Sequence, residues 1–325
     1  MSIKPTTLAV LQNLDLPVIA SPMFLISNPK MVIEACKAGV VGSFPTLNQR
    51  ENVGFDQWLT EIKSALDTER NQGKNPAPFA VNLVVHKTNK RLEQDLKTIV
   101  KHQVPIVITS LGINQAVIDA VHSYGGLVFH DVIQTRHAIK AVAGGVDGLI
   151  LVCAGAGGHA GTLNPFAFVG EVRKFYKGVV ILAGCISTGA DIAAAKAMGA
   201  DFAYMGTRFI ATQEANALDG YKQMVVESHS SDIMYTPNIS GIHANFLTPS
   251  IVNSGIDPNK LTKPEKIDLG DELTVKEDNN GDKSDGAWKT IWSAGQGVGS
   301  IDKVLPIAKL VAELKAEYVQ AKSNL

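Results

Sequence analysis

Residues 179–208 read VVILAGCISTGADIAAAKAMGADFAYMGTR, and this stretch decides the fold class. A short apolar run at 179–182 precedes a helical pattern over 188–198 that closes on Gly199, and a second apolar run follows at 202–205. Short runs rich in β-branched and aromatic residues that alternate with helices are typical of β-α units around a parallel sheet. The stretch therefore predicts strand, helix and strand in that order.

The same alternation extends towards the N-terminus as far as residue 16. Including the two runs above, eight strand candidates occur, at 17–20, 40–43, 79–84, 106–109, 127–130, 149–152, 179–182 and 202–205. A plausible helix follows each of them, such as 28–38 with Asn28 as N-cap and Pro29 in the first helical position. Eight parallel units favour an α/β fold closed into a (β/α)8 TIM barrel.

After the eighth unit the pattern changes, because residues 257–286 are rich in charged residues, Asn and Gly. We predict a barrel formed by 1–227 and 287–325, with 228–286 as an inserted subdomain near the active-site mouth. The chain returns through Trp288 and Trp292. A final helix is predicted to pack on the core through one apolar face, made by Val304, Ile307, Ala308, Val311 and Leu314.

Within the charged segment, four oxygen-bearing side chains alternate as in an EF-hand calcium loop: Asp278, Asn280, Asp282 and Ser284. Lys283 stands where the turn glycine belongs, and Lys289 stands where the bidentate glutamate belongs. We therefore predict no calcium site. The three cysteines, Cys36, Cys153 and Cys185, are predicted to be buried free thiols, and no histidine pair has the spacing of a zinc site.

The bulk composition points to a small-molecule partner. Thirty basic and 31 acidic residues leave a formal net charge of -1, so no global field would attract nucleic acid or an anionic membrane. No stretch reaches the roughly 18 consecutive apolar residues of a membrane span, and the N-terminus lacks a signal-peptide pattern. The expectation is a cytoplasmic protein.

Glycines follow the last two predicted strands, at Gly184 and at Gly206-Thr207. In TIM barrels the residues after each strand form the active-site face, and the loops after strands seven and eight frequently bind phosphate. Glycine there lets backbone N–H groups approach an anion. The pair predicts a phosphate cradle, although each glycine alone could simply make a tight turn.

The loop after the sixth predicted strand carries four glycines around one imidazole, in Gly155-Ala156-Gly157-Gly158-His159-Ala160-Gly161. Such a backbone can pack closely against a flat ligand while it presents His159. Histidine is the residue type best suited to exchange a proton near neutral pH. His159 is the predicted catalytic residue, against the alternative of a loop histidine bonded to a carbonyl. The histidines predicted to be solvated are His86, His102, His122, His137 and His229.

Other polar or polarizable side chains are predicted at the same mouth. Asn82 lies inside an apolar strand, where an unpartnered amide would cost about 1–3 kcal/mol, so it should face a ligand or a fixed backbone group. Met23 ends the first strand and could lie beside a flavin ring or be plain core. Ser110 and His130, at the ends of the fourth and fifth strands, are secondary candidates.

Taken together, residues 154–161, 183–186, 205–207 and 293–297 resemble the nitronate monooxygenase family, formerly called 2-nitropropane dioxygenases. The resemblance implies a TIM barrel that binds FMN noncovalently, with His159 as the active-site histidine. The positions that it implies for cofactor contact are Met23, Asn82, Gly157, Gly184, Gly206 and Thr207. Gly158 and Gln296, which lie inside these motifs, are added to the expected cofactor-binding set.

Segments 42–48, 231–237 and 240–247 are similar to the family's NADH:quinone reductase branch. The histidine loop also differs from the nitronate-oxidising branch, which usually has an acidic residue before the alanine and an arginine after the histidine. This resemblance implies NADH as co-substrate and a quinone as acceptor, with a substrate wall made by Pro45, Leu47, Tyr235 and Pro237. A homodimer is expected.

Three other functions stay open. The first is a monooxygenase that oxidises alkyl nitronates with oxygen, and the second is a flavin-dependent enoyl reductase, which shares the barrel. The third is a non-catalytic flavin- or phosphate-ligand binding protein in which His159 has no chemical task.

Overall fold

Eight parallel strands form a nearly closed barrel in the computed structural model, which describes residues 11, 14–263 and 290–324. The barrel strands are β1 (Val18–Ala20), β2 (Gly42–Pro45), β3 (Phe79–Val84), β4 (Ile106–Ser110), β5 (Leu127–Val132), β6 (Gly148–Val152), β8 (Val179–Ala183) and β9 (Phe202–Met205). Their order is β1-β9-β8-β6-β5-β4-β3-β2, and a parallel bridge between Ile19 and Val41 connects β1 to β2. The predicted α/β TIM barrel is confirmed.

Helices alternate with these strands and cover the outside of the barrel. They are α1 (Pro29–Lys37), α2 (Asn52–Asn71), α3 (Leu92–His102), α4 (Gln115–His122), α5 (Thr135–Ala143), α6 (Pro165–Phe175), α7 (Gly189–Ala197), α8 (Thr207–Ile210), α9 (Asp219–Glu227), α10 (Thr248–Asn253) and α11 (Ile307–Ser323). Asn28 caps α1 through the amide of Met31, and Thr188 and Asp191 form a capping box at α7. Both helices begin at the predicted positions because these side chains accept otherwise unpaired N–H groups.

The second strand begins later than predicted. The apolar residues Val40 and Val41 suggested a strand at 40–43, but pairing with β3 starts at Gly42, opposite Phe79, and runs to Pro45. Val40 and Val41 are buried just before it. The apolar residues correctly indicated that this segment is buried. The bounds of the strand depend instead on which residues pair with β3.

The interior of the barrel is filled by alternate residues of its strands, as the two-residue period of a strand requires. Ile108 of β4 and Phe129 of β5 belong to this apolar interior cluster. Continuing the same alternation to the carboxyl ends brings the next inward positions to Ser110 and Asp131. The top layer of the barrel is therefore polar.

A small antiparallel sheet lies beside the barrel mouth. It consists of β10 (Ile233–Thr236), β11 (Ala244–Leu247) and the two-residue β7 (Gly158–His159), in the order β10-β11-β7. Ala244 pairs with His159, and Asn245 pairs with Gly158. The sheet thus connects the segment after α9 to the loop that carries the predicted catalytic histidine.

The C-terminal helix packs as predicted, with two corrections to its apolar face. Ile307, Val311 and Leu314 are buried, but Ala308 is exposed and Leu310 takes its place. Val304 lies before the helix, which begins after Pro306. Because the helix begins at Ile307, the residues three and four positions later, Leu310 and Val311, face the core, and Ala308 points away.

Most of the charged segment lies outside the described residues. The residues concerned are Asp278, Asn280, Asp282, Lys283, Ser284, Trp288 and Lys289. The division into a barrel and an inserted subdomain at 228–286 stays a prediction. Within the described ranges, no helix is both long and apolar enough to span a membrane.

Candidate active site

A cavity of about 940 Å³ opens at the carboxyl ends of the barrel strands. The predicted site residues on its walls are Met23, Pro45, Leu47, Asn82, Ser110, His130, Gly157, Gly158, His159, Gly184, Gly206, Thr207 and Tyr235. The fold thus brings together residues from four barrel strands, from the loops that follow the other four, and from the antiparallel sheet. The individual roles of these residues remain predictions.

Two predicted site residues, Gln296 and Pro237, are absent from the cavity lining that the described residues form. The backbone N–H of Gln296 donates to the carbonyl of Gly155 at 2.8 Å, so this residue supports the histidine loop from behind. The carbonyl of Pro237 accepts from the N–H of Gly241 at 2.8 Å in the β10–β11 turn. Gly295 and Gly297 reach the cavity from the 293–297 segment instead.

A side chain would be crowded at both glycine turns, after β8 and after β9. Gly184 has φ of +124°, which L residues rarely adopt, and a Cβ there would lie 3.0 Å from the carbonyl oxygen of Ala154. A Cβ on Gly206 would lie 2.7 Å from Oγ of Ser21. The backbone conformation therefore favours glycine at the first turn, whereas at the second a side chain would require Oγ of Ser21 to move; both turns line the cavity.

The second turn is joined to the histidine loop by the 293–297 segment. Oγ of Thr207, directly after the second turn, accepts from the N–H of Gly295 at 2.8 Å. A Cβ on Gly157 would approach that same amide to 3.0 Å. Three backbone segments therefore meet within van der Waals contact at one side of the cavity, which gives a rigid, side-chain-free surface.

The histidine loop is held by buried polar contacts. Nδ2 of Asn245 donates to the carbonyl of Ala156 at 2.6 Å, and Oγ of Ser293 accepts from the N–H of Gly158 at 2.7 Å. The same Ser293 hydroxyl donates to the carbonyl of Asn245 at 2.7 Å. These bonds fix the backbone on both sides of Gly157, so the imidazole that follows has a defined position.

His159 itself is half-buried on the cavity wall, at the end of β7. The next residue is also anchored, because the Tyr235 hydroxyl donates to the carbonyl of Ala160 at 2.9 Å. The Tyr235 ring stacks on His243, with ring centroids 5.1 Å apart. His243 also lines the cavity, and only pairing of β10 with β11 brings it there, so the sequence did not single it out.

A chain of side-chain hydrogen bonds forms the floor of the cavity. Nδ2 of Asn82 donates to Oγ of Ser110 at 2.7 Å, and this hydroxyl donates to Oδ2 of Asp131 at 2.6 Å. Asn82 also donates to the carbonyl of Ile108 at 3.1 Å. The predicted need of the Asn82 amide for a partner is met by this network and by the backbone.

Sequence analysis missed Asp131, although it lies next to the predicted His130. Burial raises the pKa of the Asp131 carboxyl from 3.8 to about 6, and the hydrogen bond from Ser110 opposes this shift. Inward alternation on β5 was the signal that could have identified it, since Asp131 is two residues beyond the interior Phe129. Tyr204, an inward residue of β9 beside the interior cluster, was missed for the same reason.

His130, which also lines the cavity, is largely buried and bonds to Oγ of Thr109 through Nδ1 at 2.8 Å. Burial is the main cause that lowers the pKa of His130 to about 4, with a smaller contribution from His137. Its imidazole is therefore neutral at physiological pH. Such a residue can position neighbours but carries no charge for binding an anion.

Cys185 corrects the prediction of three buried thiols. Cys36 and Cys153 are buried, but Cys185 is exposed at the cavity with φ of +59°. It follows Gly184, and this left-handed turn directs the side chain outward. Partial burial nevertheless raises the pKa of the Cys185 thiol.

The prediction of solvated histidines is wrong for His102. It is buried, and its Nε2 lies 2.8 Å from a carboxylate oxygen of Asp56. His122 is half-buried, with Nε2 2.7 Å from Asp147. His102 and His122 are each the last residue of a helix, and the last turn of each helix packs against a neighbouring element. A polar residue at that position is therefore enclosed, although the helical pattern suggested that it would be solvated. His137 lines the cavity rim together with Lys140.

These observations define what the cavity could hold. Its volume lies at the upper end of the range for cofactor and ligand sites, roughly 300–1,000 Å³. One side offers bare glycine backbone suited to a phosphate, and the floor offers Asn82, Ser110 and Asp131 for the polar edge of a ring. The lining therefore fits a flat ligand with a phosphate tail, such as FMN.

Comparison with known proteins agrees with this description. A family model described as nitronate monooxygenase matches residues 6–317. A nitronate monooxygenase of Paraburkholderia phytofirmans is 27% identical over 97% of this chain and 95% of its own length. A (3aS,4S,5R,7aS)-5-hydroxy-7a-methyl-1-oxo-octahydro-1H-indene-4-carboxyl-CoA dehydrogenase of Rhodococcus jostii is 26% identical over 78% of this chain and 69% of its own.

The fold also matches solved structures. A nitroalkane oxidase from Streptomyces ansochromogenes aligns with a TM-score of 0.79 and 22% identity, over 97% of this chain and 99% of that one. At this identity the match supports the barrel architecture alone.

Proposed function

This chain belongs to the nitronate monooxygenase family, and on that premise we propose that it is an FMN-dependent oxidoreductase that uses NADH to reduce quinones. The observation that carries the proposal is a cavity whose lining combines bare glycine backbone, an anchored imidazole and a polar floor. Members of the family are oxidoreductases, and the arrangement supplies each element that a noncovalent flavin site needs.

The residues for FMN follow from the chemistry of each wall. Backbone N–H groups after Gly184 and Gly206 suit the phosphate, since glycine lets an anion approach the main chain closely. Asn82, Ser110 and Asp131 suit the polar edge of the ring. Met23, which lies 3.6 Å from the Cβ position built on Gly206, suits its apolar face.

When bound, FMN supplies the electron-transfer chemistry that connects a hydride donor to an acceptor. The protein's part is to bind both partners against one face and to exclude water. Pro45, Leu47 and Tyr235 provide an apolar wall for a nicotinamide or a quinone ring. His159 lies on the cavity wall, where an imidazole can exchange a proton with an acceptor oxygen that gains negative charge.

Oxidation of alkyl nitronates is the second candidate, and a specific observation favours it. A relative that matches along nearly its whole length is a nitronate monooxygenase. In this function His159 would orient the nitronate anion or deprotonate the neutral nitroalkane. The lack of an arginine after the histidine, where Ala160 stands, favours the quinone reductase instead.

Anaerobic reduction separates the two functions. We expect NADH to bleach the flavin absorption band of the purified protein, and subsequent addition of a quinone to restore it. Bleaching by propionate-3-nitronate but not by NADH would contradict the proposal and establish the second candidate. NADH oxidation that depends on an enoyl thioester and not on a quinone would identify an enoyl reductase.

A further inference from the structure

Positive charge gathers at one edge of the cavity, on the helix α5. Arg136, His137 and Lys140 belong to this helix, and His137 and Lys140 line the cavity. We propose that these three residues form a subsite for a diphosphate group, and that it binds the tail of the ligand that reacts with the bound flavin. The reaction of that ligand rests on the proposed function, whereas the binding of a diphosphate to this α5 subsite does not.

The spacing of the three residues places them on one side of the helix. Residues three or four positions apart share a face of an α-helix, and Lys140 comes four positions after Arg136 and three after His137. Nε of Arg136 donates to Nε2 of His137 at 3.4 Å. The three side chains therefore form one cluster, and two of its members reach the cavity.

Within the described part of the chain, no negative charge balances this cluster. None of the three residues forms an ion pair there, and the one carboxyl group among the described lining residues, Asp131, belongs to the floor. Burial is the main cause that lowers the pKa of His137, and the charges of Arg136 and Lys140 lower it further, with no acidic group opposing them. An anion bound to the cluster would relieve this repulsion.

Helix stability does not explain the position of Arg136. It lies in the first turn of α5, which contains no acidic residue. The macrodipole disfavours a cation at this end of a helix and favours an anion. Arg136 therefore has no stabilising role in the helix itself, whereas a bound anion would be favoured by the side chains and by the dipole together.

The α5 subsite lies beside the loop that carries His159. A Cβ on Gly161 would lie 3.0 Å from Cβ of Ile133, so the end of the histidine loop packs against the segment that leads into α5. Ile133 is 37% exposed and lines the cavity. A ligand whose reacting group lies beside His159 therefore meets an apolar surface and then positive charge along this wall.

The α5 subsite is separate from the glycine turns proposed for the FMN phosphate. Those turns follow β8 and β9, whereas α5 follows β5, and β6 lies between β5 and β8 in the sheet. The histidine loop, which follows β6, therefore comes between the two sites. One site can hold the phosphate of FMN while the other holds the tail of a second ligand.

The ligand that suits the α5 subsite has a reacting group joined to a diphosphate. Arginine and lysine bind phosphate oxygens through charge-assisted hydrogen bonds. Two sources carry a diphosphate: NADH, and the coenzyme A part of an enoyl thioester. Binding measurements with ADP-ribose and with coenzyme A distinguish these sources, because neither compound needs to react with the flavin.

Three substitutions at the rim and one control test the α5 subsite. Lys140→Glu reverses a charge at the cavity, Lys140→Arg keeps it, and the double variant Arg136→Ala with Lys140→Ala removes two charges. Lys174→Glu makes the same reversal on the exposed surface of α6, outside the cavity lining. All variants are compared with the wild type as FMN-loaded protein.

Calorimetric titration measures the binding of ADP-ribose, coenzyme A and adenosine, which lacks phosphate. We expect the wild type to bind ADP-ribose more tightly than adenosine. Lys140→Glu and the double variant should weaken ADP-ribose binding by about tenfold or more, because they remove charge-assisted hydrogen bonds. Lys140→Arg and Lys174→Glu should bind close to the wild-type level.

The same pattern with coenzyme A in place of ADP-ribose would support the α5 subsite and assign it to a thioester substrate. Wild-type affinity for both diphosphates no higher than for adenosine would overturn the proposal. Equal losses in Lys140→Glu and Lys174→Glu would also overturn it, because the effect would then come from net charge.

Flavin reduction under anaerobic conditions gives a second readout. NADH carries the diphosphate, and 1-benzyl-1,4-dihydronicotinamide donates a hydride without it. We expect the ratio of the two second-order rate constants, NADH over the benzyl compound, to fall about tenfold in Lys140→Glu. An equal loss with both donors would show an effect on the flavin or the fold and would contradict the α5 subsite. If neither donor reduces the flavin, the proposed function fails, and the titrations still test the α5 subsite.

The affinity of flavin-free protein for FMN separates the α5 subsite from the cofactor site. We expect Lys140→Glu to bind FMN as the Lys174→Glu control does, because the glycine turns hold the FMN phosphate. A loss of FMN affinity of about tenfold in Lys140→Glu alone would show that the cluster binds the cofactor phosphate itself. That result would overturn the assignment to a second ligand.

Discussion

His159 is the residue on which the chemistry depends. Its backbone is paired with Ala244, and its neighbours Gly158 and Ala160 are bonded to Ser293 and Tyr235. Without these anchors, a loop with four glycines would leave the imidazole mobile, because glycine loses the most conformational freedom when the chain becomes ordered. The anchors make the imidazole a fixed group beside the cavity.

Replacing His159 by asparagine should lower the turnover number about a hundredfold, because a positioned proton donor contributes at least that much. FMN content should stay unchanged, since the phosphate and the ring contact other walls. The measurement is steady-state turnover together with flavin absorbance. His86→Asn is the matched control, as His86 bonds to Thr88 outside the cavity lining. Undiminished turnover with full flavin content would favour a binding protein without catalysis.

Among individual residues, the sequence identified those whose type is unusual for the segment in which they lie. An imidazole among glycines and an amide inside an apolar strand are visible without a fold, so His159 and Asn82 could be predicted as cavity residues. Asp131 and Cys185 could not. Their importance comes from inward alternation on β5 and from a left-handed turn at Cys185, and both depend on strand register and backbone conformation.

The two strand–turn units that end in Gly184 and Gly206 are the elements that define the phosphate side of the cavity. Each turn brings bare backbone to the surface because a neighbouring segment occupies the space of a side chain. A glycine at the cavity lets an anion approach the main chain more closely than a residue with a Cβ would. The two turns therefore form the phosphate side of the cavity through the shape of their backbone rather than through side-chain groups.

Gly206→Ala should weaken FMN binding by about tenfold or more, because a methyl group would displace Oγ of Ser21 and narrow the cradle. Equilibrium titration of flavin-free protein measures this. The matched control is Gly170→Ala on α6, where a Cβ meets nothing within 4 Å. That control should leave FMN affinity unchanged and stabilise the protein by about 0.5–1 kcal/mol. Equal FMN affinity in both variants would contradict a phosphate site at Gly206.

The strands and helices of the barrel were predictable because each carries its own signal. Asn28 caps α1 as predicted, and Thr188 caps α7 at the start of the predicted helical pattern. The two-residue strand β7 was not predictable, since its partner Asn245 lies far along the chain and no local pattern marks it. The shifted start of β2 has the same origin, because bounds depend on the partner strand.

Over the whole molecule, ligand binding and stability should be coupled, since the cavity joins the ends of most barrel strands with the 293–297 segment. FMN that binds the folded state alone stabilises it by about 2.7 kcal/mol at a hundred times its Kd. Riboflavin lacks the phosphate and should raise Tm less at equal concentration. Differential scanning fluorimetry checks this. An equal rise with both ligands would show that the phosphate makes no contribution.

The barrel as a whole followed from repetition, because eight successive strand signals leave few other topologies. The placement of the segment after the eighth unit did not follow from its composition. Residues 290–300 return to the cavity, where Gly295 bonds to Thr207 and Ser293 supports Gly158. Glycine and serine residues of this kind are common in loops, and their contribution becomes visible only in three dimensions.

The central claim is that the glycine turns after β8 and β9 bind the phosphate of FMN while its ring lies between His159 and the Asp131 floor. A crystal structure of the protein with FMN tests this most directly. The account predicts phosphate density within hydrogen-bond distance of the backbone after Gly184 and Gly206, and ring density beside His159. Density for FMN elsewhere, or a cavity that remains solvent-filled at saturating FMN, would contradict it.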